Sequence, residues 1–301
     1  MSIKRKIAIH RPGALGDVLM TFNLIPLLKN KFVGYDIHYY TGYFEILQEM
    51  HQILGISAFQ HSLISDPEVM KNYDVIYTPM GYTNTKGYPH VRIEKHILQH
   101  FGDDMGMNVG DALPALELKA LEPLVKGPYV TVHPQSGWSL YKNWPYDRWE
   151  EVIAAFPNIK FIEIGAATDV KLKGADHSFM GRRIIDSINL ISNAAFHLGV
   201  DSFSSHITHM KFNGRQTPGV ILYGSSQETA TGYPKNTNVN LNLPCQPCFR
   251  EDPKLTWFDL GVCINPKGQT SYYEPKHACM HDIKTDHIIN IVNQMSDKYI
   301  A

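Results

Sequence analysis

An α/β fold class with parallel sheets follows from three observations. Short apolar runs rich in Ile, Val, Tyr and Phe alternate with amphipathic runs of helical length along most of the chain. The alternation pauses once, in the looser Pro- and Gly-containing stretch 103–128, and then restarts. A glycine turn follows the first apolar run directly, as in a strand–turn–helix unit. We therefore expect two Rossmann-like domains facing a cleft, 1–120 and 121–301, the second including a cysteine-bearing module at 245–279.

The elements follow in order. "KIAIH" (6–10) reads as a strand and "VLMTFNLIPLLKN" (18–30) as its helix. "DIHYYTG" and "YFEILQEM" repeat the pair, then "YDVIYTPM" and "RIEKHILQHFG". In the second half come "YVTVHPQ", "DRWEEVIAAF", "KFIEIGA", "NLISNAAF", "HLGVD", "SSHITHMKF" and "GVILYGSS". A last amphipathic run, "TDHIINIVNQMSDKYI" (285–300), reads as a closing helix.

The chain has 301 residues, 44% of them hydrophobic, enough for two buried cores, and a formal net charge of -1 at pH 7. A near-neutral chain has no global field for nucleic acid or anionic membrane, so neither partner is expected. No apolar run approaches the roughly 18 residues of a membrane span. The basic opening resembles a secretory leader, but its apolar run is broken by His10, Arg11 and Pro12, so we expect a cytoplasmic protein.

Four stretches carry candidate chemistry. In "RPGALGDVL", Gly13 and Gly16 give a turn without the third glycine of a dinucleotide fingerprint and without the Lys of a P-loop. Asp17 would repel a phosphate at that helix start. It is either a helix cap or a chemical group, and the glycines allow something larger than a side chain to come close. In "VTVHPQSGWSLYKNWPYDRW", Lys142 follows a strand on a polar loop, where it suits an anion, with Gln135 and Ser136 as hydrogen-bonding neighbours. The alternative is a solvated loop lysine beside a packed Trp144.

In "HLGVDSFSSHITHMKF", Asp201, Ser202 and His206 sit at a strand-to-helix junction suited to ribose, phosphate or sugar, or to plain helix capping. The pairs His206/His209 and His96/His100 have helical spacing but no further local ligand for a metal. Tyr39, Tyr40, Tyr43, Tyr82 and Tyr88 suit either an acceptor groove or ordinary strands and turns. Finally, Cys245, Cys248, Cys263 and Cys279 are all the cysteines of the chain. Four thiolates close a tetrahedral shell around Zn or Fe and leave no open position, so such a site would be structural. Redox or buried free thiols are the alternative.

Together these strings resemble the ADP-heptose:lipopolysaccharide heptosyltransferases, glycosyltransferase family nine. "RPGALGDVL" is similar to the family's Gly-Asp turn, and "VHPQSGWSLYKNWPYDRWEEVI" to its Lys-x-Trp-Pro segment. "LISNAAFHLGVDSFSSHITHM" with "TPGVILYGSS" resembles its Asp-[Thr/Ser]-Gly-x-x-His segment, with Phe203 standing where the family has Gly. "CQPCF…KHACMHDI" resembles the tail of members that include bacterial autotransporter heptosyltransferases, whose cysteines hold iron. The resemblance implies a GT-B fold and an inverting transfer of a sugar, heptose among the candidates, from a nucleotide-diphosphate donor to a carbohydrate or protein acceptor, without a catalytic metal. It implies Asp17 as base, Lys142 as diphosphate contact, and Asp201, Ser202 and His206 as donor pocket, with Gln135 and Ser136 near the phosphates. A nucleotide-sugar epimerase or a non-catalytic GT-B scaffold are the alternatives.

Overall fold

The computed structural model describes residues 5–80, 95–137, 139–247, 263, 265–268 and 276–300. The described residues fall into two compact units, 5–80 with 95–118, and 119–300.

The first unit contains β1 (Lys6–His10), α1 (Leu15–Phe22), α2 (Ile25–Lys31), β2 (Asp36–Thr41), α3 (Phe44–Leu54), β3 (Ser57–Gln60), α4 (Pro67–Met70), β4 (Val75–Tyr77), α5 (Ile97–Asp104) and β5 (Glu117–Leu118). Four strands form a parallel sheet in the order β3-β2-β1-β4. Ile7, Ala8 and Ile9 of β1 are buried because helices cover a parallel sheet on both faces. The single helix expected over 18–30 is two. Pro26 lies in the first turn of α2 and cannot donate to an upstream carbonyl, so the helix breaks at Asn23–Leu24. Asn23 fills the break, its side chain accepting from Leu116 N–H at 2.7 Å. Helix α3 stops at Gly55, whose φ of 58° is left-handed, a conformation that costs glycine little.

The second unit contains β6 (Val130–His133), α6 (Tyr146–Ala154), β7 (Phe161–Glu163), α7 (Ile184–Asn193), β8 (Phe196–Val200), α8 (Phe203–Ile207), β9 (Lys211–Phe212), β10 (Gly219–Leu222), α9 (Glu228–Thr231), β11 (Thr237–Val239), α10 (Ala278–His281) and α11 (Thr285–Tyr299). Its parallel sheet runs β11-β10-β8-β6-β7. Every residue of β8 and β10 is buried, which explains their unbroken apolar runs. Trp144 and Trp149 meet edge-on at 5.0 Å in the core, and the Trp144 indole N–H donates to Ile283 O at 3.2 Å. That bond ties the loop after β6 to the segment leading into α11.

Strand order fixes where each unit can bind a ligand. In the first sheet the chain builds outward from β1 to β2 and β3, then returns to place β4 on the other side of β1. In the second it goes from β6 to β7, then crosses to β8 on the opposite side of β6. Loops leaving the two strands at such a reversal run in opposite directions and open a crevice at the strands' carboxyl ends. The crevices lie at β1/β4 and at β6/β8. Among the described residues, no helix is long and apolar enough to cross a membrane.

Candidate functional site

At the β6/β8 crevice, Lys142 and Asp201 meet. Lys142 ends a short 3-10 turn, Leu140–Lys142, whose start is capped by Ser139. Asp201 directly follows β8. The Lys142 ammonium donates to Asp201 Oδ2 at 2.7 Å, with side-chain exposures of 17% and 1%. The lysine is thus not a free loop lysine; the solvated reading is wrong, although Trp144 is packed as expected. Burial by itself pushes the Asp201 carboxyl up, but the Lys142 ammonium and the nearby His206 ring outweigh it and hold it below the usual carboxylate range. The loop after β10 fixes the lysine turn from the other side. Ser225 N–H donates to Tyr141 O at 3.1 Å, and a Cβ on Gly224 would lie 2.1 Å from that same oxygen, so only glycine fits there.

Ser202 is the N-cap of α8, but its hydroxyl does not cap the helix. It meets His133 Nδ1 at 2.9 Å instead. His133 also meets Ser204 Oγ at 3.0 Å, Ser204 meets His197 Nε2 at 3.1 Å, and His197 Nδ1 meets Thr131 Oγ1 at 3.0 Å. Burial lowers the histidines, His133 to about 4 and His197 to about 3, so both are neutral at pH 7 and the chain carries no charge. Phe203 packs its ring edge-on against His133 at 4.9 Å. His206 and His209 both serve Tyr233: His206 Nδ1 lies 3.0 Å from its hydroxyl, and His209 stacks on its ring at 4.2 Å. An aromatic partner, not a metal, accounts for their spacing.

Gln135 and Ser136 are buried on the loop after β6. Gln135 accepts from Tyr146 and donates to Asp169 Oδ1 at 2.6 Å, while Ser136 N–H donates to the Asn143 side chain at 2.7 Å. The Gln135 side chain and the Ser136 backbone brace the loop that carries Lys142. The sequence reading missed Asp169 and the His133–Ser204–His197 chain. Each depends on residues at least 34 positions apart or on a buried polar neighbour that no local pattern shows.

At the β1/β4 crevice stand the glycine turn and Asp17. Asp17 is the third residue of α1; Ala14 is the N-cap and receives no side-chain cap. The helix-cap reading of Asp17 therefore does not hold. Its Oδ2 accepts from the Arg11 guanidinium instead. Gly13 leaves open space up to the Tyr43 ring, 4.0 Å from where a Cβ would sit. Gly16 lies in the first turn of α1. Among the tyrosines considered for an acceptor groove, Tyr39 and Tyr40 are buried core residues, Tyr43 is exposed, and Tyr82 and Tyr88 lie outside the described residues. His96 is the N-cap of α5 and forms a capping box with Gln99, which accounts for a histidine one turn before His100.

Of the four cysteines, Cys248 lies outside the described residues. Cys245, Cys263 and Cys279 are not in disulfides. Asn265 N–H reaches Cys263 Sγ at 3.4 Å and its side-chain amide reaches Cys245 Sγ at 4.0 Å, so these two thiols share one neighbour. Cys279 is buried in α10. Among the described residues, no three Cys, His, Asp or Glu side chains group to hold a metal ion.

No family model and no curated protein matches the chain. Solved structures do. TibC, an iron-containing dodecameric glycosyltransferase of enterotoxigenic E. coli, has a TM-score of 0.74 at 18% identity, covering 98% of this chain and 77% of that one. E. coli ADP-heptose lipopolysaccharide heptosyltransferase II has a TM-score of 0.61 at 14% identity, covering 99% and 100%. A family nine glycosyltransferase of Veillonella parvula has a TM-score of 0.55 at 16% identity, covering 79% and 86%. The fold of this chain is that of these heptosyltransferases, a GT-B-like α/β fold with two parallel sheets.

Proposed function

We propose that the protein is an inverting glycosyltransferase that moves a sugar of the heptose class from a nucleotide-diphosphate donor to a hydroxyl of a carbohydrate or protein acceptor. One observation carries the reading: a partly buried lysine, paired to a buried aspartate, waits at the strand-order reversal of the second sheet. The fold supports it, since a TibC structure of TM-score 0.72 was solved with ADP-D-β-D-heptose.

In this reading, Asp17 takes the proton of the acceptor hydroxyl as its oxygen bonds to the anomeric carbon. The bond from that carbon to the diphosphate oxygen breaks, and the electron pair leaves with the diphosphate. Lys142 meets the growing charge, moving part of its hydrogen bonding from Asp201 to phosphate oxygens. Asp201, Ser202 and His206 shape the donor pocket, with Gln135 and Ser136 bracing its loop. Gly13 and Gly16 leave room for the acceptor. The protein acts in the cytoplasm, where nucleotide sugars are made.

The test is a thermal-shift screen against ADP-, GDP-, UDP- and CDP-sugars, followed by release of the nucleoside diphosphate. A true donor at about 100 times its Kd adds roughly 2.7 kcal/mol of stability. An absence of any shift with all four, together with no nucleotide release, sinks the reading. We further infer a structural Zn or Fe on Cys245, Cys248, Cys263 and Cys279, supported by the shared neighbour of Cys245 and Cys263. No catalytic step passes through it. Elemental analysis is expected to give one metal per chain; metal-free protein with four titrating thiols refutes the site.

A further inference from the structure

We propose that Arg11 is a positioning residue for Asp17, and that it leaves Oδ1 as the oxygen that receives the acceptor's proton. The inference rests on the transferase reading above.

Arg11 directly follows β1 and is 6% exposed, unusual for an arginine. Its contacts come from three other elements of the same unit. One terminal nitrogen donates to Pro79 O at 3.2 Å and lies 3.1 Å from Met80 Sδ, on the segment after β4. That segment is itself held, because Met80 N–H donates to Asp104 Oδ2 of α5 at 2.9 Å. The guanidinium lies 5.3 Å from the centroid of the Phe101 ring, also on α5. The other terminal nitrogen donates to Asp17 Oδ2 on α1. The arginine therefore bridges the β1/β4 crevice and is fixed before it touches the carboxylate.

A planar guanidinium held this way dictates the plane of its partner. Asp17 has side-chain exposure of 18%, and its second oxygen, Oδ1, has no protein partner among the described residues. One oxygen is thus committed to Arg11 and the other is left for an incoming hydroxyl. A lone aspartate on the first turn of α1 would choose among several rotamers, including one that caps the helix. The guanidinium removes that choice. Misplacing a reacting group by about 1 Å costs on the order of 10²-fold in rate. During transfer the proton passes from the acceptor hydroxyl to Oδ1, while Arg11 keeps its bond to Oδ2 and remains charged throughout.

The test is a double-mutant cycle read as ADP release from ADP-heptose, with water standing in for the acceptor hydroxyl. Asp17→Asn alone should cut turnover by roughly 10²–10⁴. Arg11→Met should cut kcat by about 10–10²-fold and leave the donor KM within twofold, since the donor-pocket residues belong to the other unit. Arg11→Lys, which keeps the charge and one donor, should recover part of the loss. In the Asp17→Asn background, Arg11→Met should cost nothing more, because its effect runs through the lost carboxylate. Multiplicative losses in the double variant overturn the proposal, as does an Arg11→Met protein with wild-type kcat. If Arg11→Met does not fold, Arg11→Lys is read through the same cycle with the same criteria. An Asp17→Asn protein with full turnover removes the base reading itself, whereas a slow Asp17→Asn beside a fast Arg11→Met removes only the positioning role.

Discussion

Replacing Lys142 with alanine removes two things at once. It deletes the proposed diphosphate contact, and it leaves Asp201, 1% exposed, as a buried carboxylate without its partner. Breaking a buried pair from one side costs about 3–5 kcal/mol, and a charge-assisted ligand contact contributes about 1.5–3 kcal/mol. Lys142→Ala is therefore expected to lower both urea resistance and affinity for the nucleoside diphosphate. Adding Asp201→Asn should restore part of the stability and none of the affinity, which separates the two effects. Because Asp201 is held below its ordinary value, the pair's contribution is fully present above about pH 4 and is lost as pH falls through the folded value. Both residues were legible in the sequence as polar groups after apolar strands. Their 2.7 Å contact was not, because 59 residues separate them. Arg11 was legible only as a residue that interrupts an apolar run; its role needs Pro79, Met80 and Phe101 around it.

Among the elements, β7 carries a group outside the proposed chemistry. Glu163 is fully buried at its end, and one carboxylate oxygen has no hydrogen-bond partner. Burial pushes this carboxyl up to about 7, while the Leu172 N–H at 2.8 Å and His177 at 3.1 Å only partly offset it. A raised carboxyl favours the folded state below its unfolded value near about 4.3, and that advantage is lost as pH rises through the folded value. Glu163→Gln keeps the shape and the acceptor for Leu172 without the buried charge. It should add about 2–3 kcal/mol at pH 8 and close to nothing at pH 4, as measured by urea unfolding at the two values. Equal effects at both would show that the carboxyl is not perturbed. Strands β1, β2, β4, β6, β7, β8 and β10 were marked by apolar runs, but the edge strands β3 and β11, which have few buried residues, and two helical details were not. The break before Pro26 was hidden by continuous apolar spacing across α1 and α2, and the helical spacing of His96 and His100 gave no sign that His96 caps α5.

At the scale of the whole molecule, the two parallel sheets each reverse strand order once, and each candidate group sits at its own sheet's reversal. This gives a prediction about where a donor acts. Hydrogen exchange with and without a saturating nucleoside diphosphate should show protection of amides in 130–142 and 199–206, and little change in β2 and α3. Protection confined to the first unit would move the donor pocket off Lys142 and Asp201. The sequence by itself determined the α/β class, the restart of the alternation in the second half, and which polar residues follow the strands. Those features are local, set by side-chain periodicity, glycine and proline. Only the tertiary structure decided what those residues do with one another. It made Asp17 the partner of Arg11 rather than a helix cap, took Tyr39 and Tyr40 into the core, gave His206 and His209 to Tyr233, and paired Lys142 with Asp201. The reason is physical: a buried polar group must find a partner wherever the fold brings one, and strand order, not chain order, brings it.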